Sequence, residues 1–214
     1  MCKRVSHSTG FNKTDMTTQS RIIPFFPLPL AVLPGEVIPL HIFEGRYKQL
    51  IQDCRSQSLQ FGIPFVQNEK LEHYGGLMQL ERIKRVYRNE TLDVEVTCTG
   101  IFELGDFRDP LPGKEYSGGE VGVIAVDPPR PSASLQALFF EYMELSPSTK
   151  VDLTEAATDF YAMARTLSLD HAVKYELIRP GNEVAKLITL ENEFKLATQI
   201  KKQAALISNK FHLN

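Results

Sequence analysis

The densest group of chemically capable side chains is His41-Ile42-Phe43-Glu44-Gly45-Arg46-Tyr47. An imidazole, a carboxylate, a guanidinium and a phenol sit close together there, the types that recognise a partner through ion pairs and aromatic contact. The same residues also have purely structural uses. A carboxylate favours a helix start, an arginine pairs with a carboxylate, and a tyrosine packs with its hydroxyl at the rim. His41, Glu44, Arg46 and Tyr47 are the candidate recognition surface, with binding rather than catalysis as its expected role. The five histidines (7, 41, 73, 171 and 212) are scattered, so no zinc cluster is expected.

Other candidates are weaker. Cys54 falls on the apolar face of a helix pattern, where a thiol packs; as a nucleophile it needs a histidine brought near in space. Arg82, Lys84, Arg85 and Arg88 form a basic cluster. Strand alternation places Arg82 and Lys84 on one face and Arg85 on the other, as expected of a solvated hairpin. Phosphate-binding glycine loops are missing. Gly113-Lys114 is followed by Glu115, and Arg108 stands where the first glycine of G-x-x-x-x-G-K-[ST] belongs. The chain also contains no G-x-S-x-G, H-E-x-x-H, C-x-x-C or G-x-G-x-x-G. No catalytic residue, metal or cofactor is expected.

Bulk properties narrow the setting. The net charge is −2, and residues 21–128 carry eleven Lys and Arg against fifteen Asp and Glu. A nucleic-acid grip needs clustered cations to displace counterions, so that partner is disfavoured. No window approaches the ~20 apolar residues of a membrane span. Residues 1–20 are polar, without a signal-peptide core, and are expected to be a disordered tail, with Met16 an alternative start. Cys2, Cys54 and Cys98 show no paired spacing, which fits reduced thiols. A soluble, cytoplasmic protein is expected.

These side chains must be positioned by two kinds of element. Residues 21–128 read as short strands: 21–26, 37–43, 61–66, 75–86, 92–102 and 121–126. Pro39 cannot donate to a ladder, so its strand belongs at an edge or a bulge. Between strands, Tyr47, Leu50, Ile51 and Cys54 repeat at helical spacing and predict a helix over 44–57. Arg88-Asn89-Glu90 predicts a hairpin connection. Several short strands with one inserted helix predict a small, partly closed barrel. Asp127-Pro128-Pro129-Arg130-Pro131 ends this unit.

Residues 129–214 read as a helical bundle. Ser134 leads into a helix with Leu135, Leu138, Phe139, Tyr142 and Met143. Asp152 and Glu155 open a second that runs through Phe160 and Ala164 to Leu167. A third covers about 169–178. Pro180-Gly181 breaks it, and Asn182 caps a last helix approaching 40 Å, at ~1.5 Å per residue.

At this point a resemblance can be stated. FPLPLAVLPGEVIPLHIFEGRYKQLI, residues 26–51, resembles the start of the Lon protease N-terminal domain, in the form found in small stand-alone bacterial LON-domain proteins. The pattern is P-L-x-x-x-x-x-P-G, then P-L-x-I-F-E-x-R-Y and a helix. Family members usually carry Pro where this chain has Gly45. Gly75-Gly76-Leu77-Met78, Thr99-Gly100-Ile101-Phe102 and the helix from Val184 to Phe194 extend the similarity over about 22–207. It implies an α+β fold, a PUA-like β-pseudobarrel with one inserted helix followed by a C-terminal helical bundle. It also implies a non-catalytic polypeptide-binding module, without the ATPase and Ser–Lys protease domains of full Lon enzymes. Its implied partners are unfolded or extended polypeptide segments and a Lon-type protease system. The alternative, by analogy with other PUA-like domains, is an RNA-binding module, which lacks the basic face it needs.

Overall fold

The computed structural model describes residues 20–125, 127–146 and 152–211. The expected tail, apart from Ser20, and Val126 at the expected end of the last strand lie outside the described residues. Six strands form one antiparallel sheet: β1 (Ser20–Pro24), β2 (Val37–Ile42), β3 (Phe61–Gln67), β4 (Lys70–Val86), β5 (Leu92–Leu104) and β6 (Gly118–Ile124). The order is β1-β6-β5-β4-β3, with β2 paired to β5 alone. The sheet curls until its ends meet: Phe25 bridges Gly62 and Leu28 bridges Phe65 in parallel, with Phe26 N–H donating to the Gly62 carbonyl at 2.8 Å. That closure makes the pseudobarrel expected from the strand pattern.

β5 serves two structures in succession. Its second half, Ile101–Leu104, lies between β4 and β6 in the barrel wall. Its first half, Leu92–Thr97, lies between β2 and the end of β4 and forms a three-stranded wing. β2 has one neighbour, so Pro39 sits on an edge strand where its missing N–H breaks no ladder. One hairpin follows the predicted Arg88-Asn89-Glu90 connection, with Glu90 at φ 62° and Tyr87 N–H on the Thr91 carbonyl. The other, between β3 and β4, turns on Asn68 and Glu69, both at positive φ. β4 begins at Lys70, earlier than the apolar pattern from Gly75 predicts, because Asn68-Glu69 makes the tight turn without the glycine that marks such a turn in sequence.

The inserted helix α1 (Gly45–Gln57) buries Tyr47, Leu50, Ile51 and Cys54 against the barrel, the face its spacing predicts. Its outer side is clamped by the segment before β6. Asp53 accepts hydrogen bonds from Lys114 and Tyr116, each at 2.7 Å, and Gln49 accepts from the Glu115 N–H at 2.8 Å.

The helices are α2 (Ala133–Glu144), α3 (Leu153–Ala156), α4 (Phe160–Arg165), α5 (His171–Ile178) and α6 (Glu183–Phe211). The α2 cap is Ser132, whose hydroxyl accepts from Leu135 N–H, two residues before the start read from sequence. The single helix expected over 152–167 is two. Asp159 interrupts it because its carboxylate accepts from Tyr161 and Ala162 N–H and so caps a new helix. Asn182 caps α6 as expected. Phe139, Phe160, Leu177, Leu190 and Phe194 are fully buried in one cluster with Ala31, Leu33, Phe65 and Ile101 of the barrel. Arg165 donates to the Pro34 carbonyl, and Lys174 pairs with Glu36 at 2.5 Å, fixing the helices to the 31–36 loop. Among the described residues no helix is long and apolar enough to cross a membrane.

Two stability predictions follow from this packing. A Cβ at Gly75 would stand 2.5 Å from both the Ile63 carbonyl oxygen and the Phe102 ring. Gly75→Ala should therefore lower the urea midpoint by the equivalent of about 1–3 kcal/mol, as overpacked sites do. An unchanged midpoint would show that β3 and β4 separate without cost. Lys114 and Tyr116 hold the Asp53 carboxyl below the usual carboxylate range. A lowered folded-state pKa stabilises above the ordinary value and loses its effect as pH falls through the lowered one. The stability gap between wild type and Asp53→Asn should thus be full at pH 6 and shrink below pH ~4. A gap independent of pH would remove the carboxylate from the account.

Candidate functional site

The sequence-predicted residues separate into two groups. His41 stands on the wing, its Nδ1 2.6 Å from Asp93 Oδ1; the other oxygen of Asp93 accepts from the Tyr87 hydroxyl, also at 2.6 Å. Phe43, 64% exposed, stacks on the His41 ring with centroids 6.3 Å apart. Glu44 occupies the N-cap of α1 by backbone conformation, but its side chain makes no capping bond. Instead it accepts from Arg46 Nε at 2.8 Å. Arg46 lies over the Tyr47 ring at 4.6 Å, and Tyr47 packs on Phe26 with centroids 4.0 Å apart. Tyr47 is therefore largely a core residue, whereas His41, Glu44 and Arg46 face solvent.

A second feature escaped the sequence reading. Beyond Met78, where β3 stops pairing, the outer edge of β4 from Gln79 to Val86 has no strand beside it among the described residues. Alongside that edge runs a groove of about 450 Å³ between β4 and the end of α1. Leu80, Ile83, Val86 and Cys54 supply its apolar lining; Arg55, Ser58, Glu81 and Arg82 supply its polar rim. Val86 is 66% exposed. An open backbone edge beside an apolar trough suits an extended polypeptide, whose amides and side chains would both find partners. At the junction between barrel and helices, a smaller cavity of about 160 Å³ lies near Ile101, Ile124 and Ile178.

Two bulges explain why the groove is hard to read from sequence. Against β5, the pairing runs Leu80↔Val96, Arg82↔Glu95, Ile83↔Val94, Arg85↔Asp93, Val86↔Leu92. Glu81 and Lys84 are the extra residues, so side chains repeat every three positions rather than every two. Leu80, Ile83 and Val86 share the inner face. Arg82 and Arg85 share the outer one, instead of lying on opposite faces as alternation predicts. Lys84 joins them there. Arg82 and Lys84 both reach Glu95, at 2.5 and 2.9 Å, and Arg85 lies over the Tyr87 ring at 4.6 Å. Shifting Arg85 onto the face of Arg82 makes one compact cationic strip. Among the described residues no group of three His, Cys, Asp or Glu is placed to hold a metal ion.

Comparison with known proteins agrees with this architecture. The family model of the ATP-dependent protease La (LON) substrate-binding domain matches residues 22–206. Among solved structures, a Lon N-terminal domain protein from Xanthomonas campestris is similar, with a TM-score of 0.64 and 23% identity over 79% of this chain and 96% of that one. The N-terminal domain of Mycobacterium avium complex Lon protease gives 0.61 and 19%, over 82% and 98%. At these identities the likeness is one of fold. No curated protein sequence matches significantly.

Cys54 lies in the groove lining, yet its thiol is 1% exposed in residue terms and burial pushes its pKa up to about 12. Cys98, equally buried, is pushed up to about 12 as well, again by desolvation first. The thiolate is the reactive form, so neither thiol is available near neutrality. A Cys2→Ser variant should show no thiol reacting with Ellman's reagent at pH 8 until the protein is unfolded, when two should react. Fast native modification of Cys54 would restore it as a candidate nucleophile.

Proposed function

Because this chain belongs to the family of the LON substrate-binding domain, we propose that it is a non-catalytic module that holds extended or unfolded polypeptide segments for a Lon-type protease system. The observation that carries this reading is the open edge of β4 beside an apolar groove of about 450 Å³. Ladder hydrogen bonds would supply sequence-independent grip there, and Leu80, Ile83 and Val86 would take apolar side chains. His41, Glu44 and Arg46, with the exposed Phe43 ring, are proposed as a second recognition surface at the opposite end of α1. The buried free thiols Cys54 and Cys98 support a reducing, cytoplasmic setting.

A small surface of this kind should bind in the micromolar range or more weakly, about −8 kcal/mol or less favourable. The test is anisotropy of fluorescein-labelled, reduced and carboxymethylated lactalbumin titrated with the purified protein at low and high salt. Saturable binding that largely survives high salt is expected. Val86→Asp, which puts a charge at an already exposed position, should weaken it about five-fold, or ~1 kcal/mol. Absence of saturation, or indifference to Val86→Asp, would overturn this assignment of the groove.

A further inference from the structure

The free edge of β4 already has a fitted partner on its other side, and that partner shows what the strand accepts. β5 reads Leu92-Asp93-Val94-Glu95-Val96-Thr97. Its apolar residues lie opposite Val86, Ile83 and Leu80, and its acidic residues lie opposite Arg85 and Arg82. A strand laid along the outer edge would meet the same five residues of β4. Its side chains would alternate between the two faces. One set would enter the α1–β4 groove; the other would pass over the cationic strip.

Arg85 makes no ion pair among the described residues, because its guanidinium rests on Tyr87. Its neighbourhood, with Pro39, Leu40, His41, Lys84 and Asp93, forms a shallow cavity of about 550 Å³ on the outer face. Arg82, Lys84 and Arg85 stand against Asp93 and Glu95 there, so cations outnumber carboxylates before His41 is counted. A second copy of β4 would set its own Arg82, Lys84 and Arg85 against these and be repelled. An acidic strand would be attracted. Resting on the polypeptide-binding reading above, we propose that the β4 edge prefers extended segments in which apolar and acidic residues alternate, as they do in β5.

The test is titration of the isotope-labelled full chain with three capped octapeptides, followed through the backbone amide shifts of Gln79–Val86. One carries LDVEVT between glycines, one LKVKVT, and one the first composition with acids and apolar residues in separate blocks. The first should shift those amides saturably and bind at least ten-fold tighter than the lysine peptide at 50 mM salt, with the gap narrowing at 500 mM. The blocked peptide should fall between them. Arg82→Gln/Arg85→Gln should erase the preference, with urea midpoints measured for both proteins to show that the variant is folded. Equal binding of all three peptides, while unfolded lactalbumin still binds, would overturn the preference and leave the broader function standing. Failure of lactalbumin and peptides alike would overturn both. Tighter binding of an oligouridylate at the same amides would overturn it by making the strip a nucleic-acid site.

Discussion

The β4–β5 ladder is the pairing on which both the barrel and the candidate site rest. It runs from Tyr74↔Glu103 to Val86↔Leu92, and no other strand pair in the sheet extends as far. At its barrel end β3 and β6 flank it; at its wing end only β2 does. The same two strands thus pass from a closed wall, flanked by β3 and β6, to an open ribbon, where the outer edge of β4 has no strand partner among the described residues. Closure also explains the tight glycine positions. Gly75 and Gly62 both lie against the Phe102 ring, which fills the space where β3, β4 and β5 curl around it.

Bulges set the chemistry of that ladder. Thr99 is the extra residue on β5, while Glu81 and Lys84 are the extra residues on β4. Each adds local twist and turns the following side chain. Two on β4 within five residues convert a strand with scattered charge into one with an apolar face and a cationic face. A regular strand of the same sequence would put Ile83 and Arg85 on one side, mixing charge into the groove. The bulges therefore cost ladder regularity and gain segregation, and the gain is worth most at an edge, where both faces remain within reach of a partner.

How much of this was legible depended on whether local periodicity and final geometry agree. The 44–57 helix was legible because Tyr47, Leu50, Ile51 and Cys54 repeat at one spacing throughout. The edge position of Pro39 was legible because a missing donor has few structural solutions. The division of 152–167 into α3 and α4 was not, since Leu153, Ala156, Phe160 and Ala164 keep a helical spacing across the break. Only the side chain of Asp159, satisfying amides of the next turn, reveals it. Of the candidate surface, a carboxylate partner for Arg46 is expected from sequence, but that it is Glu44, freed from capping α1, is not, and the partnership of His41 with Asp93 joins residues 52 apart in sequence. The groove was hidden for a further reason: it is lined by both α1 and β4, and strand register cannot be read through bulges.

The edge also has to remain unpaired until a partner arrives. An exposed strand with an apolar face invites association with copies of itself. Here the invitation is limited by the side chains that project beside it. Arg82 and Lys84 are held by Glu95 on one side and remain largely exposed on the other. They keep a like-charged edge away, while their salt bridges, formed at the surface, are weak enough to be exchanged for a partner's carboxylates. On the proposed reading, protection from self-association and selection of a client both reside in Arg82, Lys84 and Arg85. On this view the charge on β4 is not incidental to an apolar groove; it is what allows such a groove to stay open in solution.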